Sequence, residues 1–224
     1  MAKLTHYIIH CMASREDVPM TSDQIRQMHL GPHELTEAEI TQARKRPGAN
    51  LEILRQGVLR YNGDYFADSN HLPITRIGGV LISSLIGGRG WRQVGYADMI
   101  HLDGRIENLV PYNEDENVDP WEISNGILSS SELYDNARHI SYVGGMDKAY
   151  KYPKDTRTPE QLISMTNKVK ETIDRHPDIL VIGHNQINDD RACPSFNVPN
   201  WLRSIGIPEK NISKAPVLYK GKLA

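Results

Sequence analysis

Two hydrophobic periods alternate along the chain. Residues 5–12, from Thr5-His6-Tyr7-Ile8-Ile9 to His10-Cys11-Met12, form an apolar, β-rich run of the kind that makes a buried strand. The pattern then turns helical. Thr21 is a good N-cap, Gln24 stands three residues on as in a capping box, and Ile25 and Met28 supply an apolar face up to about His29–Gly31. A strand is expected from Val94 to Leu102, with a turn at Asp103-Gly104 and a return over Arg105 to Val110. Residues 113–137 are polar and turn-rich and read as a long surface loop; Arg138 to Val143 is again strand-like and ends at Gly144-Gly145. Thr158-Pro159-Glu160-Gln161 combines a cap, a proline at the first helical position and a glutamine closing the box. Leu162, Met165, Val169 and Ile173 give that helix its stripe until Pro177. A last strand, Ile179 to Gly183, precedes a short helix from about Pro199 that stops at Gly206.

Residues 31–88 break this rhythm and read as an insertion. They open at Gly31-Pro32, hold a short helix candidate at Thr36 with Glu39 in the capping-box position, and close on a glycine-rich run. Between these lies a hairpin signal, Val58 to Tyr61, Asn62-Gly63, Asp64 to Phe66, in which Asn-Gly favours a tight turn. The expected architecture is α/β (α+β): a central mixed β-sheet flanked by helices, one domain over 1–224 interrupted at about 31–88 by a helix and a β-hairpin.

Composition narrows the classes. With 39% hydrophobic and 24% charged residues the chain is an ordinary globular one. A formal net charge of −2 provides no general field for nucleic acid, so no nucleic-acid partner is expected. The most apolar run, Ile77 to Gly88, is too short and too rich in glycine and serine to span a bilayer, and no membrane insertion is expected. No signal segment can be drawn at Met1-Ala2-Lys3, which makes the expected location cytoplasmic. In that compartment Cys11 and Cys193 read better as a metal ligand or a plain buried thiol than as a disulfide. Strand alternation turns Cys11 away from the face of its neighbour His10, as a core thiol.

His10 ends the first strand, His184 directly follows a late one, and Cys193 opens Cys193-Pro194-Ser195-Phe196. Two imidazoles and a thiolate meet the count of a catalytic zinc, which takes three protein ligands and leaves a fourth position open. Taken singly, a histidine in an apolar strand is more often a hydrogen-bonded core residue, and a single cysteine a buried thiol. Asp98, two residues after Tyr96, should share its face and is a candidate carboxylate for the same chemistry, against the plain reading of a solvated aspartate.

The order of motifs adds a resemblance. Ile9-His10-Cys11-Met12-Ala13-Ser14, Gly90-Trp91-Arg92-Gln93-Val94-Gly95-Tyr96, Asp103-Gly104, Tyr142-Val143-Gly144-Gly145 with Asp155-Thr156-Arg157-Thr158-Pro159-Glu160-Gln161, and Gly183-His184 through Cys193-Pro194-Ser195-Phe196 resemble the type 2 N-acetylmuramoyl-L-alanine amidases. These include phage lysozyme-like endolysins and the peptidoglycan recognition proteins. The likeness covers roughly residues 5–30 and 89–205, and 31–88 has no counterpart in it. It implies zinc ligands at His10, His184 and Cys193, a catalytic tyrosine at Tyr96, and Arg191 at a position that is a catalytic lysine in the phage enzymes. The sequence departs from the pattern at Ala97, where histidine is usual, at Ser141, where some amidases carry glutamate, and at Arg191, since arginine stays protonated and is no base.

The resemblance implies a Zn2+-dependent hydrolase that cuts the amide between N-acetylmuramic acid and L-alanine of bacterial peptidoglycan. A phage or prophage endolysin, released to the wall from the host cytoplasm, is the setting it suggests. The competing reading is a recognition module of the same fold that binds peptidoglycan without cutting it, which is disfavoured by the presence of Cys193 and Tyr96.

Overall fold

The computed structural model describes residues 2–30, 91, 93–127 and 130–221, and the backbone of five short strands between residues 51 and 81. The chain divides into two compact units, one of residues 1–20 and 95–224, the other of residues 21–94.

In the first unit, a five-stranded mixed sheet is built from β1 (His6–Cys11), β2 (Asp98–Ile100), β3 (Ile106–Asn108), β4 (Ala137–Tyr142) and β5 (Leu180–Gly183), in the order β3-β2-β4-β1-β5. Strands β2, β4, β1 and β5 run parallel, and β3 closes one edge antiparallel to β2 across the expected Asp103-Gly104 turn. Every residue of β4 is buried, as is all of β1 after His6, which accounts for their near-continuous apolar sequence.

The parallel register decides which side chains share a face. Tyr7, Ile9 and Cys11 of β1 pair with Arg138, Ile140 and Tyr142 of β4. Most of this set belongs to the main core, with Met165, Val169 and Ile173 of helix α2 (Pro159–Arg175) and Val198, Trp201 and Leu202 of helix α3 (Val198–Ser204). Each such apolar side chain stabilises the fold by about 1.5–3 kcal/mol when fully buried. The alternate residues, Ile8 and His10 of β1 with His139 and Ser141 of β4, occupy the other face. There Ile8, Ile127, Ala137 and Ile182 form a smaller apolar cluster.

Helix α2 begins as the sequence indicates. Thr158 Oγ1 accepts from the Gln161 backbone N–H at 3.1 Å, and Gln161 Oε1 accepts from the Thr158 N–H at 3.0 Å. The expected stripe shifts by one position at its start: Leu162 is only half-buried, whereas Gln161 is buried completely. The reason is polar. Gln161 Nε2 donates to the backbone carbonyls of Ile100 (3.2 Å) and Val143 (2.9 Å), stitching the helix start to the ends of two strands.

In the second unit, helix α1 (Ser22–Leu30) carries the anticipated Thr21/Gln24 capping box, with contacts of 2.9 and 3.2 Å. The imidazole of His29 stacks on Trp91 with ring centroids 4.5 Å apart. Leu51–Ile53, Leu59–Tyr61 and Asp64–Phe66 form an antiparallel sheet, which places the expected hairpin, and Arg76–Ile77 pairs with Val80–Leu81. The helix expected at Thr36 lies outside the described residues.

Gln161→Leu should leave the buried Val143 carbonyl without its donor, at a cost of about 1–3 kcal/mol, while the Ile100 carbonyl keeps the Val143 N–H. Thr158→Ala should cost about 1 kcal/mol as an ordinary cap loss. Urea unfolding of the two variants, with unchanged m-values, should rank Gln161→Leu as the more destabilised; the opposite order would mean that the stitching to Ile100 and Val143 contributes little.

Candidate metal centre

His10 stands next to last in β1 and is 1% exposed. His184 begins the short 3-10 turn that follows β5, and β5 lies directly beside β1. Cys193 reaches the same place from the following loop. The ligand atoms of His10, His184 and Cys193 all lie within 4.8 Å of one another. Their chemistry fits zinc. Zn–S and Zn–N bonds of about 2.3 and 2.0–2.1 Å at a tetrahedral angle set sulfur and nitrogen about 3.5 Å apart. Cys193 Sγ and His10 Nδ1 are 3.6 Å apart.

The rest of the sequence motifs brace these three side chains. Asn185 Nδ2 donates to the Phe196 carbonyl at 3.1 Å, and Tyr142 Oη donates to the Pro194 carbonyl at 2.8 Å. Arg157, nearly fully buried and ion-paired with Asp155 at 2.7 Å, lays its guanidinium 3.3 Å from the centroid of Phe196. At Gly145, φ is +102° and a Cβ would run into Cys11, so only glycine suits the close approach there. Cys11 itself sits on the helix-covered face, in the main core. Its backbone N–H meets Cys193 Sγ at 3.2 Å, and both thiols are free.

Electrostatics prepare a neutral nitrogen donor at His184. Burial, with the added effect of the Arg191 charge, lowers His184 to about 4, so its imidazole is neutral at pH 7, the form that binds metal. Burial also pushes the Cys193 thiol well above its ordinary range. A thiolate there needs a compensating cation.

Tyr96 is half-buried, its ring centroid 5.3 Å from that of His10. Arg191 is exposed, and its charge is felt by both His184 and Cys193. The structure thus brings His10, His184, Cys193 and Tyr96 together, with Arg191 near enough for its charge to act on two of them.

Asp98 departs from expectation. Tyr96 and Ala97 precede β2, so strand alternation does not carry from Tyr96 to Asp98. Asp98 pairs with Ile140 and therefore faces the helices. Its carboxylate accepts from Asn108 Nδ2 at 3.0 Å and from Tyr112 Oη at 2.8 Å. Burial, the larger influence, raises its pKa against those hydrogen bonds. It anchors a loop and is no base for this site. Ser141 lies opposite His10 in register, its Oγ buried without a partner among the described residues.

His139 went unnoticed in the sequence. It is fully buried on β4, and its Nδ1 lies 2.9 Å from His10 Nε2. Burial, and secondarily the charge His184 would carry, pushes it down to about 3, so it is neutral. The available signal was a histidine on the same strand face as Ser141, flanked by Arg138 and Ile140 on the other.

No protein-family model matches the sequence, and no curated protein matches it. Solved structures of similar fold include N-acetylmuramoyl-L-alanine amidase LysC from Clostridium intestinale URNW, with a TM-score of 0.48 and 15% identity over 92% of this chain and 88% of that one. The Ph2119 endolysin from Thermus scotoductus MAT2119 bacteriophage Ph2119 gives 0.45 and 13%, over 93% and 87% of the two chains. The complex of tracheal cytotoxin with peptidoglycan recognition proteins LCa and LCx gives 0.46 and 12%, over 95% and 86%. At such identities the likeness concerns the path of the backbone. Among the described residues, no helix is long and apolar enough to cross a membrane.

Asp98→Ala should lower stability by about 1–3 kcal/mol, because it strands the Tyr112 hydroxyl while Asn108 Nδ2 keeps the Ala97 and Val110 carbonyls. Metal content, read by elemental analysis of the folded protein, should be unchanged; a parallel loss of metal would place Asp98 in the site after all.

Proposed function

We propose that the chain is a zinc-dependent N-acetylmuramoyl-L-alanine amidase, a bacteriolytic hydrolase of the endolysin kind acting on bacterial peptidoglycan. The observation that carries this reading is the His10, His184 and Cys193 donor set, beside Tyr96, at one end of the parallel strands. Two half-buried ligands, with three donors in the cluster among the described residues, suit a catalytic rather than a closed structural site. Zinc held there supplies Lewis acidity toward a carbonyl oxygen and makes water acidic enough to react near neutral pH.

The chain's own groups do the rest. As water adds to the lactyl carbonyl, negative charge grows on its oxygen. Tyr96 donates its hydroxyl to that oxygen, and the Arg191 guanidinium adds a fixed positive charge at the rim. Arg191 holds its proton throughout and serves charge stabilisation only. The glycan is left intact, and the stem peptide departs with a free L-alanine amine. A phage or prophage lysis enzyme is the setting in which a chain of this kind meets the wall. A recognition module of the same fold would bind peptidoglycan and release nothing.

Purified protein should hold one zinc per chain, and Cys193→Ala should lose most of it. Mass spectrometry of digested peptidoglycan should show new L-alanine amines without new reducing ends. Reducing ends alone would indicate a glycosidase, and binding without products the recognition module.

Because the thiol must ionise as metal binds, zinc uptake should release about one proton near pH 7, with affinity rising about tenfold per pH unit above the His184 transition. Calorimetry in two buffers of different ionisation enthalpy measures this directly. An affinity independent of pH would exclude Cys193 as a thiol-derived ligand.

Tyr96→Phe and Arg191→Ala should each reduce turnover on the order of a hundredfold, since their contacts strengthen as charge develops. Zinc content should be unchanged, and Arg191→Lys should keep activity. Full turnover in both Tyr96→Phe and Arg191→Ala would move the oxyanion role to other groups.

A further inference from the structure

We propose that His139 is a positioning residue for the metal centre: it accepts a hydrogen bond from His10 Nε2 and thereby locks His10 in the one tautomer that can ligate through Nδ1. The inference rests on the zinc reading above and concerns a residue outside the donor set.

The geometry is asymmetric in a way that assigns the proton. His10 turns Nδ1 toward Cys193 Sγ, 3.6 Å away, and Nε2 toward His139 Nδ1, 2.9 Å away. A neutral imidazole carries one N–H, and the nitrogen that ligates must be bare. With Nδ1 presented to the metal, His10 Nε2 carries the hydrogen and is the donor. His139 Nδ1 is then the acceptor, which puts the His139 proton on Nε2. That atom is buried and has no hydrogen-bond partner among the described residues. The reverse arrangement, with His139 Nδ1–H donating, would leave a hydrogen on His10 Nδ1, between the ring and Cys193. The same 2.9 Å contact thus has two proton arrangements, and only one leaves a donor set for metal.

A buried histidine with an unpartnered nitrogen is an expensive core residue, and packing alone would be met better by leucine or phenylalanine. The fold nevertheless shapes a place for it. A Cβ on Gly126 would come within 2.9 Å of His139 Cγ and would also press on the Gly95 carbonyl, so the loop at Gly126 fits against the imidazole only because it is glycine. The ring centroids of His10 and His139 are 5.1 Å apart, and the Ala97 N–H donates to the His139 backbone carbonyl at 2.9 Å, fixing the strand that carries it. Metal-bound histidines commonly give their second N–H to a carboxylate, a backbone carbonyl or water. Here a second, fully buried imidazole does this.

The test is zinc affinity by competition with a chromophoric chelator, on wild type, His139→Leu and His139→Asn. Asparagine Oδ1 offers an acceptor near the place of Nδ1, and leucine offers none. His139→Leu should bind zinc about 10- to 100-fold more weakly, and His139→Asn should stay within a few-fold of wild type. A purely structural role would weaken both variants alike or neither.

Nitrogen-15 NMR of the wild-type imidazoles gives an independent readout that requires no variant to fold. On adding zinc, His10 should be protonated at Nε2 and His139 at Nε2, with His139 Nδ1 bare. Wild-type affinity in His139→Leu, equal losses in the two variants, or a proton on His139 Nδ1 in the zinc-loaded protein would overturn the inference while leaving the zinc reading intact. A wild-type protein that takes up no zinc would sink both.

Discussion

The pairing of β1 with β4 on one side and β5 on the other, all parallel, is the constraint on which the rest of the molecule depends. Parallel register places paired residues on the same face, so one strand's alternation is transmitted to its neighbours. Tyr7, Ile9 and Cys11 are committed to the side that α2 and α3 cover, and His10 with its register partner Ser141 to the other. Slipping this pairing by one residue would carry His10 into the apolar core and Cys11 out to the loops. The candidate metal centre and the core are therefore two results of a single register.

Around that frame, much of the chain that carries the resemblance to amidases supports the site without entering it. The Thr158–Gln161 box ties α2 to the strand ends through Ile100 and Val143. Arg157 stacks on Phe196, Tyr142 holds Pro194, and Asn185 holds the Phe196 carbonyl, so the segment after Cys193 is anchored from several sides. Rigid support of this kind matters for a metal centre, because ligand positions within a few tenths of an ångström decide affinity and the orientation of whatever reacts there. Polar residues in buried places divide accordingly. Gln161 and Asp98 serve architecture, whereas His10, His139 and Ser141 face the other way.

Local rules acting along the chain carry part of this molecule. The strands around His10, Arg138 and Leu180, the helix capped at Thr158, the hairpin flanking Asn62-Gly63 and the turn at Asp103-Gly104 all follow from period, caps and turn residues, which act within a few positions of one another. That His10, His184 and Cys193 belong together was legible because motif order and residue type survive without coordinates. The face of Asp98 was not. Alternation holds only inside a strand, and Tyr96 and Ala97 lie before β2 begins, so counting two residues forward gave the wrong side. The burial of Gln161 in place of Leu162 escaped for a related reason: its amide is satisfied by carbonyls of Ile100 and Val143, which are distant in sequence. His139 is the clearest case. Alone it is one more histidine in a strand, and only the parallel register that sets β4 beside β1 brings its Nδ1 to 2.9 Å from His10. Which strands become neighbours is settled by burial of apolar surface summed over the whole chain, and the meeting of two imidazoles 129 positions apart exists only once that global packing is complete.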